Sequence, residues 1–297
     1  WACRNFGGAL LADDMGLGKT LQVLCSIAAL RATVVQEEQN LPSLVVCPAS
    51  VVRNWQREAQ RFIPSLRVLV LESGGQRKEY YGKICGQWDV VVMSYALARG
   101  DIEKLLAEKW LAVCADEAQV LKNPDGRSVK VLRMLHSLYR IGLTGTPVEN
   151  RLMDLWSIMS FVIPGFLPGR STWKKQVALN GESAYREILC AKLKPILLRR
   201  LKSEVAAELP PKIEEVLDCD MSVEQKRMYL AELKHARALL EGGEIREKKQ
   251  FALLKALLRL RQICCHPWLV NPTLKNVESG KLSVLIDNVR EILEEGH

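Results

Sequence analysis

The chain lacks any apolar run long enough to cross a bilayer, which excludes a helical membrane span and any membrane partner that would need one. Its opening residues, Trp1-Ala2-Cys3-Arg4, do not resemble a signal peptide. There is no internal repeat and no low-complexity segment, so nothing asks for a repeat array or a disordered tail. An initiator methionine is missing too, and the chain is expected to be a piece of a longer polypeptide. Nine cysteines are present, but none forms a C-x-x-C pair. Most sit in apolar strings such as Val45-Val46-Cys47 and Val113-Cys114-Ala115. Buried reduced thiols of a cytosolic or nuclear protein are expected rather than disulfides. Cys264-Cys265-His266 tempts a zinc reading, yet it has no second ligand pair.

What is present suits a globular protein. Of 297 residues 48% are apolar and 26% charged, enough for a sizeable core and for two domains, or one with an insertion. The net charge is +8. Residues 1–150 hold 18 basic and 15 acidic side chains and the remainder 24 and 19, so the excess is spread rather than held in a tail. That favours a polyanionic partner only weakly, against a plain solvated surface.

Short apolar runs alternate with amphipathic stretches in the first half. Strands are expected at Ala9–Ala12, Leu44–Cys47, Arg67–Leu71, Asp89–Ser94, Leu111–Ala115 and Arg140–Leu143. Helices are expected at Ser50–Phe62, Ala96–Ala107 and Arg127–Leu138. This alternation predicts an α/β fold with a parallel, doubly wound sheet, in which ligands bind at the carboxyl ends of the strands. From Arg151–Ile163 onward the pattern is mostly helical: Thr172–Leu179, Ser183–Leu193, Val223–Leu240, Glu247–Cys265 and Lys281–Glu294. One candidate strand lies at Ile213–Leu217. Pro164-Gly165-Phe166-Leu167-Pro168-Gly169 is a breaker cluster and an expected boundary. Glu241-Gly242-Gly243 separates two long helices, as in a helical hairpin.

Three motifs fall at strand ends. Asp13-Asp14-Met15-Gly16-Leu17-Gly18-Lys19-Thr20 follows the first strand and opens a helix. Its glycines let backbone N–H groups approach a polyphosphate, and the helix N-terminus adds its dipole. Lys19 would reach the β- and γ-phosphates and Thr20 would bind Mg²⁺. The strict pattern has glycine where Asp13 stands. The second motif is Asp116-Glu117-Ala118-Gln119, at the end of an apolar strand. Asp116 suits Mg²⁺ and Glu117 suits orienting or deprotonating an attacking water. The third is Leu143-Thr144-Gly145-Thr146-Pro147, whose hydroxyls could bond to the Asp-Glu pair and sense the γ-phosphate. Alone, each has a bland alternative, a turn or a solvated acidic end; together, in this order, they argue for an ATP site.

The set resembles helicase superfamily 2, and within it the SWI/SNF-type ATPase family. That family has an acidic residue at the position of Asp13. Further matching stretches are Val45-Val46-Cys47-Pro48-Ala49-Ser50 with Asn54-Trp55, Val90–Tyr95 and Lys122-Asn123-Pro124. Later in the chain they are Leu198-Arg199-Arg200-Leu201-Lys202, Leu209-Pro210-Pro211-Lys212, Arg261–Pro267 and Ser279-Gly280-Lys281-Leu282. The resemblance therefore spans nearly the whole chain. Gln119 departs from the family's common histidine and looks like the bacterial and archaeal branch.

The resemblance implies a RecA-like P-loop lobe over residues 1–165. A mostly helical protrusion over 166–278 follows, then a lead-in, 279–297, to a second RecA-like lobe of the same polypeptide. It implies ATP and Mg²⁺, with Lys19, Asp116 and Glu117 catalytic and Thr20 and Asp116 on the metal. Asp14, Met15, Gly16, Leu17, Gly18, Lys19, Thr20 and Gln119 would bind the nucleotide, and Thr144, Gly145 and Thr146 would couple. Double-stranded DNA would be held at Pro48, Ser50, Asn54, Ser94 and Tyr95, through phosphates rather than base edges. Trp55 suits either base stacking or packing of its helix, and helical spacing favours packing. Arg199 and Arg200 suit either a solvated or bracing role or DNA. The expected activity is ATP-driven movement along duplex DNA that remodels DNA-bound proteins. The rivals are a strand-separating helicase and a non-catalytic nucleotide-binding scaffold. The fragment alone is expected to be nearly inactive, because the second lobe supplies arginine fingers. Its expected place is the cytoplasm or nucleoid of a prokaryote, or the nucleus of a eukaryote.

Overall fold

The computed structural model describes residues 1–74, 76–145, 152–205, 208, 214–241 and 246–296. The chain divides into two compact units, Trp1–Pro210 and Pro211–His297. In the first unit the order begins α1 (Ala2–Phe6), β1 (Gly8–Leu11), α2 (Lys19–Arg31), β2 (Ser43–Cys47), α3 (Val52–Phe62), β3 (Val68–Leu71) and β4 (Val90–Ser94). It continues α4 (Tyr95–Gly100), α5 (Ile102–Leu106), β5 (Trp110–Ala115), α6 (Arg127–Met134), β6 (Ser137–Leu143) and α7 (Leu152–Val162). It closes with α8 (Arg170–Asn180), α9 (Glu182–Leu193), β7 (Leu197–Leu198) and α10 (Lys202–Val205).

The strands form one seven-stranded sheet in the order β3-β4-β2-β5-β6-β1-β7. Every pairing is parallel, as the alternation of strands and helices predicts. β2, β4 and β5 are buried along their whole length, which explains their unbroken runs of Val, Leu, Cys and Ala. Alternate residues feed two cores. Val45, Cys47, Val92 and Cys114 face α2 and α3, where Val23, Leu24, Ile27, Val52, Trp55 and Ala59 meet them. Leu44, Val46, Val91, Met93 and Val113 face the opposite side, with Tyr95, Val129, Leu132 and Ile158.

The second core also takes Trp173 from α8 and Tyr185, Leu189 and Leu193 from α9. The first compact unit therefore runs past residue 165, and α8 and α9 are part of its packing. β7 is a two-residue strand beside β1, too short to carry a periodic signal. The stretch read as one helix over Ala96–Ala107 is two, broken at Asp101. The Asp101 carboxylate is engaged by Arg77 and Tyr81. The helix read as Arg127–Leu138 ends at Met134, and β6 starts at Ser137.

The second unit holds α11 (Val223–Glu241), α12 (Arg246–Cys265) and α13 (Gly280–Glu294). Ala236, Ala256, Leu260 and Ile263 are buried in it. Gln225 is its polar hub: buried, it donates to the Ile263 carbonyl at 2.9 Å and accepts from Gly280 N at 3.0 Å. Glu214–Leu217 have neither helix nor strand, so the described part of the expected strand at Ile213–Leu217 does not form. Ile213, Leu209–Lys212 and the glycines at 242 and 243 lie outside the described residues. Nine free cysteines are present, of which Cys3, Cys47 and Cys114 are buried while Cys25, Cys85, Cys190 and Cys265 are exposed. Burial accordingly holds for the thiols on α1, β2 and β5 but not for those at Cys25, Cys190 and Cys265 on helices or Cys85 in a turn. His266 accepts from Trp268 N through Nδ1 at 3.1 Å, capping a short turn.

Candidate nucleotide site and its supports

Parallel strands put the three motifs on one edge. β6 lies between β1 and β5, with Leu143 beside Leu11 and Gly142 beside Ala115. The loop after β1, the acidic pair after β5 and Thr144 after β6 therefore leave the sheet together. Thr144 N still bonds to the Leu11 carbonyl at 3.0 Å.

The loop turns on two glycines with positive φ, Gly16 at 86° and Gly18 at 70°. A side chain would strain either position. Gly18 caps α2 without a side-chain bond, which leaves the first N–H groups of that helix available to an anion. The Lys19 ammonium donates to the carbonyls of Asp13 at 2.8 Å and Asp14 at 3.0 Å. These carbonyl oxygens occupy the ammonium as phosphate oxygens would. Met15 is exposed and leans on the third motif: a Cβ on Gly145 would lie 3.2 Å from Met15 Cγ. Thr20 sits in the first turn of α2, half-buried, and Leu17 lies in the loop itself.

Asp116 is held from four directions. Its backbone N donates to the Val46 carbonyl at 2.9 Å, tying it to β2. Trp55 Nε1 donates to Asp116 Oδ2 at 2.9 Å, and Glu117 N to Asp116 Oδ1 at 2.9 Å. Tyr95 OH donates to the Asp116 carbonyl at 2.7 Å. Burial pushes the Asp116 carboxyl above the usual carboxylate range. The Trp55 bond pulls it down, the Glu117 charge pushes it up, and the Glu117 N–H and Lys19 charge pull it down; the net shift is upward. A carboxylate has about four acceptor positions, and two are used here, so capacity remains for a cation or its water shell. The two crowded acidic groups and the upward shift fit an Mg²⁺ ion, which would relieve both. Thr20 and Asp116 would hold it.

Glu117 has φ 49° and ψ 55°, the only positive φ among the described non-glycine residues. Strain of this kind costs about 1–3 kcal/mol and persists where the surroundings over-determine it. The over-determination is visible in a relay: Gln119 Nε2 donates to Glu117 Oε2 at 2.6 Å, and Thr144 Oγ1 donates to Gln119 Oε1 at 2.8 Å. Gln119 uses both ends of its amide to join the second motif to the third. Thr146 lies outside the described residues.

The five residues matched to DNA contacts fall into two groups. Ser50 and Asn54 are exposed and Pro48 is half-buried, on the turn after β2 and the start of α3. Ser94 and Tyr95 are buried. Ser94 Oγ accepts from Leu97 N at 3.3 Å, and Tyr95 holds Asp116. Burial lifts the Tyr95 phenol well above its ordinary value, with the Asp116 charge adding, so it remains a donor.

Two supports lie outside the motifs that carry the chemistry. Trp55 is 1% exposed and packs on the sheet, but its ring N–H also reaches Asp116, which helical spacing does not reveal. Arg200 clasps Asp13, while Arg199 is exposed.

A parallel sheet with a glycine loop, an acidic pair and a Thr-Gly turn on one edge defines a RecA-like P-loop nucleotide-binding fold. The comparisons with known proteins make the assignment finer. A family model described as the SNF2-related domain matches residues 1–269, and the chain belongs to that family. It is 34% identical to an uncharacterized ATP-dependent helicase of Mycoplasma pneumoniae, over 98% of this chain and 27% of that protein. It is 35% identical to the ISWI chromatin-remodeling complex ATPase CHR17 of Arabidopsis thaliana, over 88% of this chain and 24% of that protein. Among solved structures it resembles the Sulfolobus solfataricus SWI2/SNF2 ATPase core in complex with dsDNA. That match has TM-score 0.62 and 37% identity, covering 99% of this chain and 62% of the other. The chain spans about a quarter of the length of the curated relatives it matches.

Proposed function

We propose that this chain is the first ATP-binding lobe of a motor that couples ATP hydrolysis to movement along double-stranded DNA and displaces or remodels DNA-bound proteins. The observation that carries the reading is the relay Thr144–Gln119–Glu117, set on the same sheet edge as the Lys19 loop. A structural turn or a decayed scaffold would not need a strained acid tied to the neighbouring strand end.

In this reading the loop from Asp14 to Thr20 cradles the triphosphate through its N–H groups, and Lys19 exchanges the Asp13 and Asp14 carbonyls for phosphate oxygens. Asp116 and Thr20 hold Mg²⁺, which supplies charge neutralisation at the phosphates. Glu117 orients the attacking water and takes its proton. Gln119 fixes the direction of the Glu117 carboxylate. Thr144, Gly145 and Thr146 report the state of the γ-phosphate to the rest of the lobe.

DNA phosphates would lie along Pro48, Ser50 and Asn54, whose polar groups suit contacts without base reading. Ser94 and Tyr95 would shape the floor of that surface from below. The Sulfolobus relative, solved with duplex DNA, supports duplex DNA as the partner. Residues 1–165 would form the lobe proper, 166–278 the helical protrusion, and 279–297 the lead-in to a second RecA-like lobe that completes the ATP site. The relatives include both bacterial and plant proteins, so a nucleoid and a nuclear setting both fit; Gln119 favours the prokaryotic one.

The test is ATP turnover by the full-length protein with and without blunt duplex DNA. Turnover should rise with duplex and vanish in Lys19→Ala, and a forked duplex should remain paired. Duplex-independent turnover, or undiminished turnover in Lys19→Ala, would overturn the proposal.

A further inference from the structure

Asp13 stands where a strict glycine loop has no side chain at all. Its carboxylate is completely buried. A buried, unpaired carboxylate would be costly enough to neutralise itself or unfold the loop. Its partner comes from 187 positions further along the chain. Arg200 N donates to Asp13 Oδ1 at 2.9 Å, and Arg200 Nε reaches Oδ1 at 3.2 Å and Oδ2 at 3.1 Å. Arg200 Nη2 also binds Asp13 Oδ2 and donates to Gln22 Oε1 at 2.8 Å. Gln22 in turn donates to Asp13 Oδ2 at 3.2 Å and to the Leu17 carbonyl at 2.8 Å. Burial alone would raise the Asp13 carboxyl; the Arg200 and Gln22 bonds and the Arg200 charge hold it below the usual range.

The backbone follows the same path. Ala12 N donates to the Leu198 carbonyl at 2.7 Å and Asp14 N to the Arg200 carbonyl at 3.1 Å. Lys202 N then donates to Asp14 Oδ2 at 2.9 Å. The short strand β7 thus continues as a strap that zips along β1 and into the loop. Both acidic residues of the loop are gripped by it, and their carbonyls are the two that face Lys19.

We propose that Arg200 is a positioning residue of the nucleotide site: through Asp13 and Gln22 it holds the glycine loop in the shape that receives phosphate. Without the clasp, the buried Asp13 carboxylate loses its charge partner and the loop must swing outward to hydrate it. The N–H groups of residues 16–18 then no longer converge. Nucleotide affinity therefore depends on Arg200, whose guanidinium is spent on Asp13 and Gln22. The inference rests on reading residues 13–20 as the ATP loop, and the two can fail separately.

The experiment uses the full-length protein and five variants: Arg200→Ala, Arg200→Lys, Asp13→Asn, the double Asp13→Asn/Arg200→Ala, and Lys19→Ala. Three quantities are read: the Kd of a fluorescent ADP analogue, KM and kcat for ATP at saturating duplex, and duplex Kd without nucleotide. Arg200→Ala should weaken the ADP analogue and raise KM by about ten-fold or more, as for loss of a charge-assisted bond. Its duplex Kd should stay within about two-fold of the parent. Arg200→Lys keeps the charge but not the fork, and should fall between the two. The double variant should be no worse than its worse single. An ADP-analogue Kd within about two-fold of the parent in folded Arg200→Ala overturns the inference. If Arg200→Ala does not fold, the same result in Arg200→Lys overturns it. Losses that add in the double variant, or a loss confined to duplex affinity, also overturn it. Normal nucleotide binding in Lys19→Ala would instead remove the ATP-loop reading beneath it.

Discussion

Replacing Trp55 with phenylalanine isolates one hydrogen bond at the centre of the site. Phenylalanine keeps an aromatic plate against β2 and β4 but cannot donate to Asp116 Oδ2, where Trp55 Nε1 stands at 2.9 Å. A hydrogen bond to a charged group contributes about 1.5–3 kcal/mol. Losing the bond removes one of the groups that pull the Asp116 carboxyl down, so it should rise further. That carboxyl already lies above its ordinary range because burial and the Glu117 charge outweigh Trp55, Glu117 N and Lys19. The ionised form is the one that serves a cation, so a higher pKa removes it over a wider range of acid pH. The acidic limb of the ATPase pH profile should therefore move to higher pH, and more Mg²⁺ should be needed at neutral pH. The smaller ring also leaves a cavity, so some loss of thermal stability is expected, independent of pH. The assay is duplex-stimulated turnover of the full-length protein between mildly acid and mildly alkaline pH at several Mg²⁺ concentrations. A folded Trp55→Phe whose acidic limb coincides with the parent's would refute the reasoning, because only the ring N–H distinguishes a packing role from an electrostatic one.

Glu117→Gln should preserve nucleotide binding while lowering turnover by about 10²–10⁴, as expected for loss of a general base; equilibrium binding beside single-turnover hydrolysis measures both. Gly142→Ala should destabilise the first unit by about 1–3 kcal/mol through overpacking. Its Cβ would lie 2.9 Å from Leu10 Cδ1 and 3.0 Å from Val162 Cγ2, and urea unfolding reads the cost. Acid should unfold the chain through Asp13, Asp89 and Asp101. Burial opposes each shift, but Arg200, Arg67 and Arg77 respectively lead the groups that hold the three carboxyls below the usual range. With folded pKa values below unfolded ones, their contribution is present above the unfolded value of about 3.9 and is lost as pH falls through the folded values. Asp116 has the opposite sign: its raised pKa costs stability as pH rises past the unfolded value. Thermal melts across pH 2–6 should thus show a steep acid loss, weaker in Asp89→Asn, whose partners Arg31 and Arg67 have less to lose.

The central strands were legible because burial on both faces writes an unbroken apolar run, and Leu44–Cys47 and Leu111–Ala115 are such runs. Edges were harder. β7 has two residues and owes its place to β1, not to any pattern of its own. The break at Asp101 leaves no local pattern, since the groups that hold its carboxylate, Arg77 and Tyr81, lie about 20 residues earlier. The Pro-Gly cluster at 164–169 marks a bend, and Trp173, Tyr185 and Leu189 beyond it bury themselves in the core of the first unit. Turn chemistry marks where the chain bends, not which core the next helix joins.

The same distinction applies to the site. Residues that would touch the nucleotide announce themselves, because a phosphate cradle demands particular types at fixed spacing: Gly16, Gly18, Lys19, Thr20, Asp116 and Glu117. The residues that set their geometry and protonation do not, because the contacts cross the sheet. Trp55 reaches Asp116 over 61 positions and Tyr95 over 21. Tyr95 is the instructive case. Matched by motif to a DNA-facing role, it spends its hydroxyl on the Asp116 carbonyl, while its neighbour Ser94 caps α4. Trp55 likewise sits one residue after the exposed Asn54. Each of the two segments proposed to meet DNA therefore carries, on its inner side, a group bonded to the aspartate proposed to hold the metal. A displacement of either segment by duplex must strain a bond to Asp116 or move it. That wiring gives a physical route from DNA to ATP turnover, and it arises because the exposed Asn54 and the buried Trp55 are neighbours on α3 and Tyr95 follows Ser94 at the end of β4.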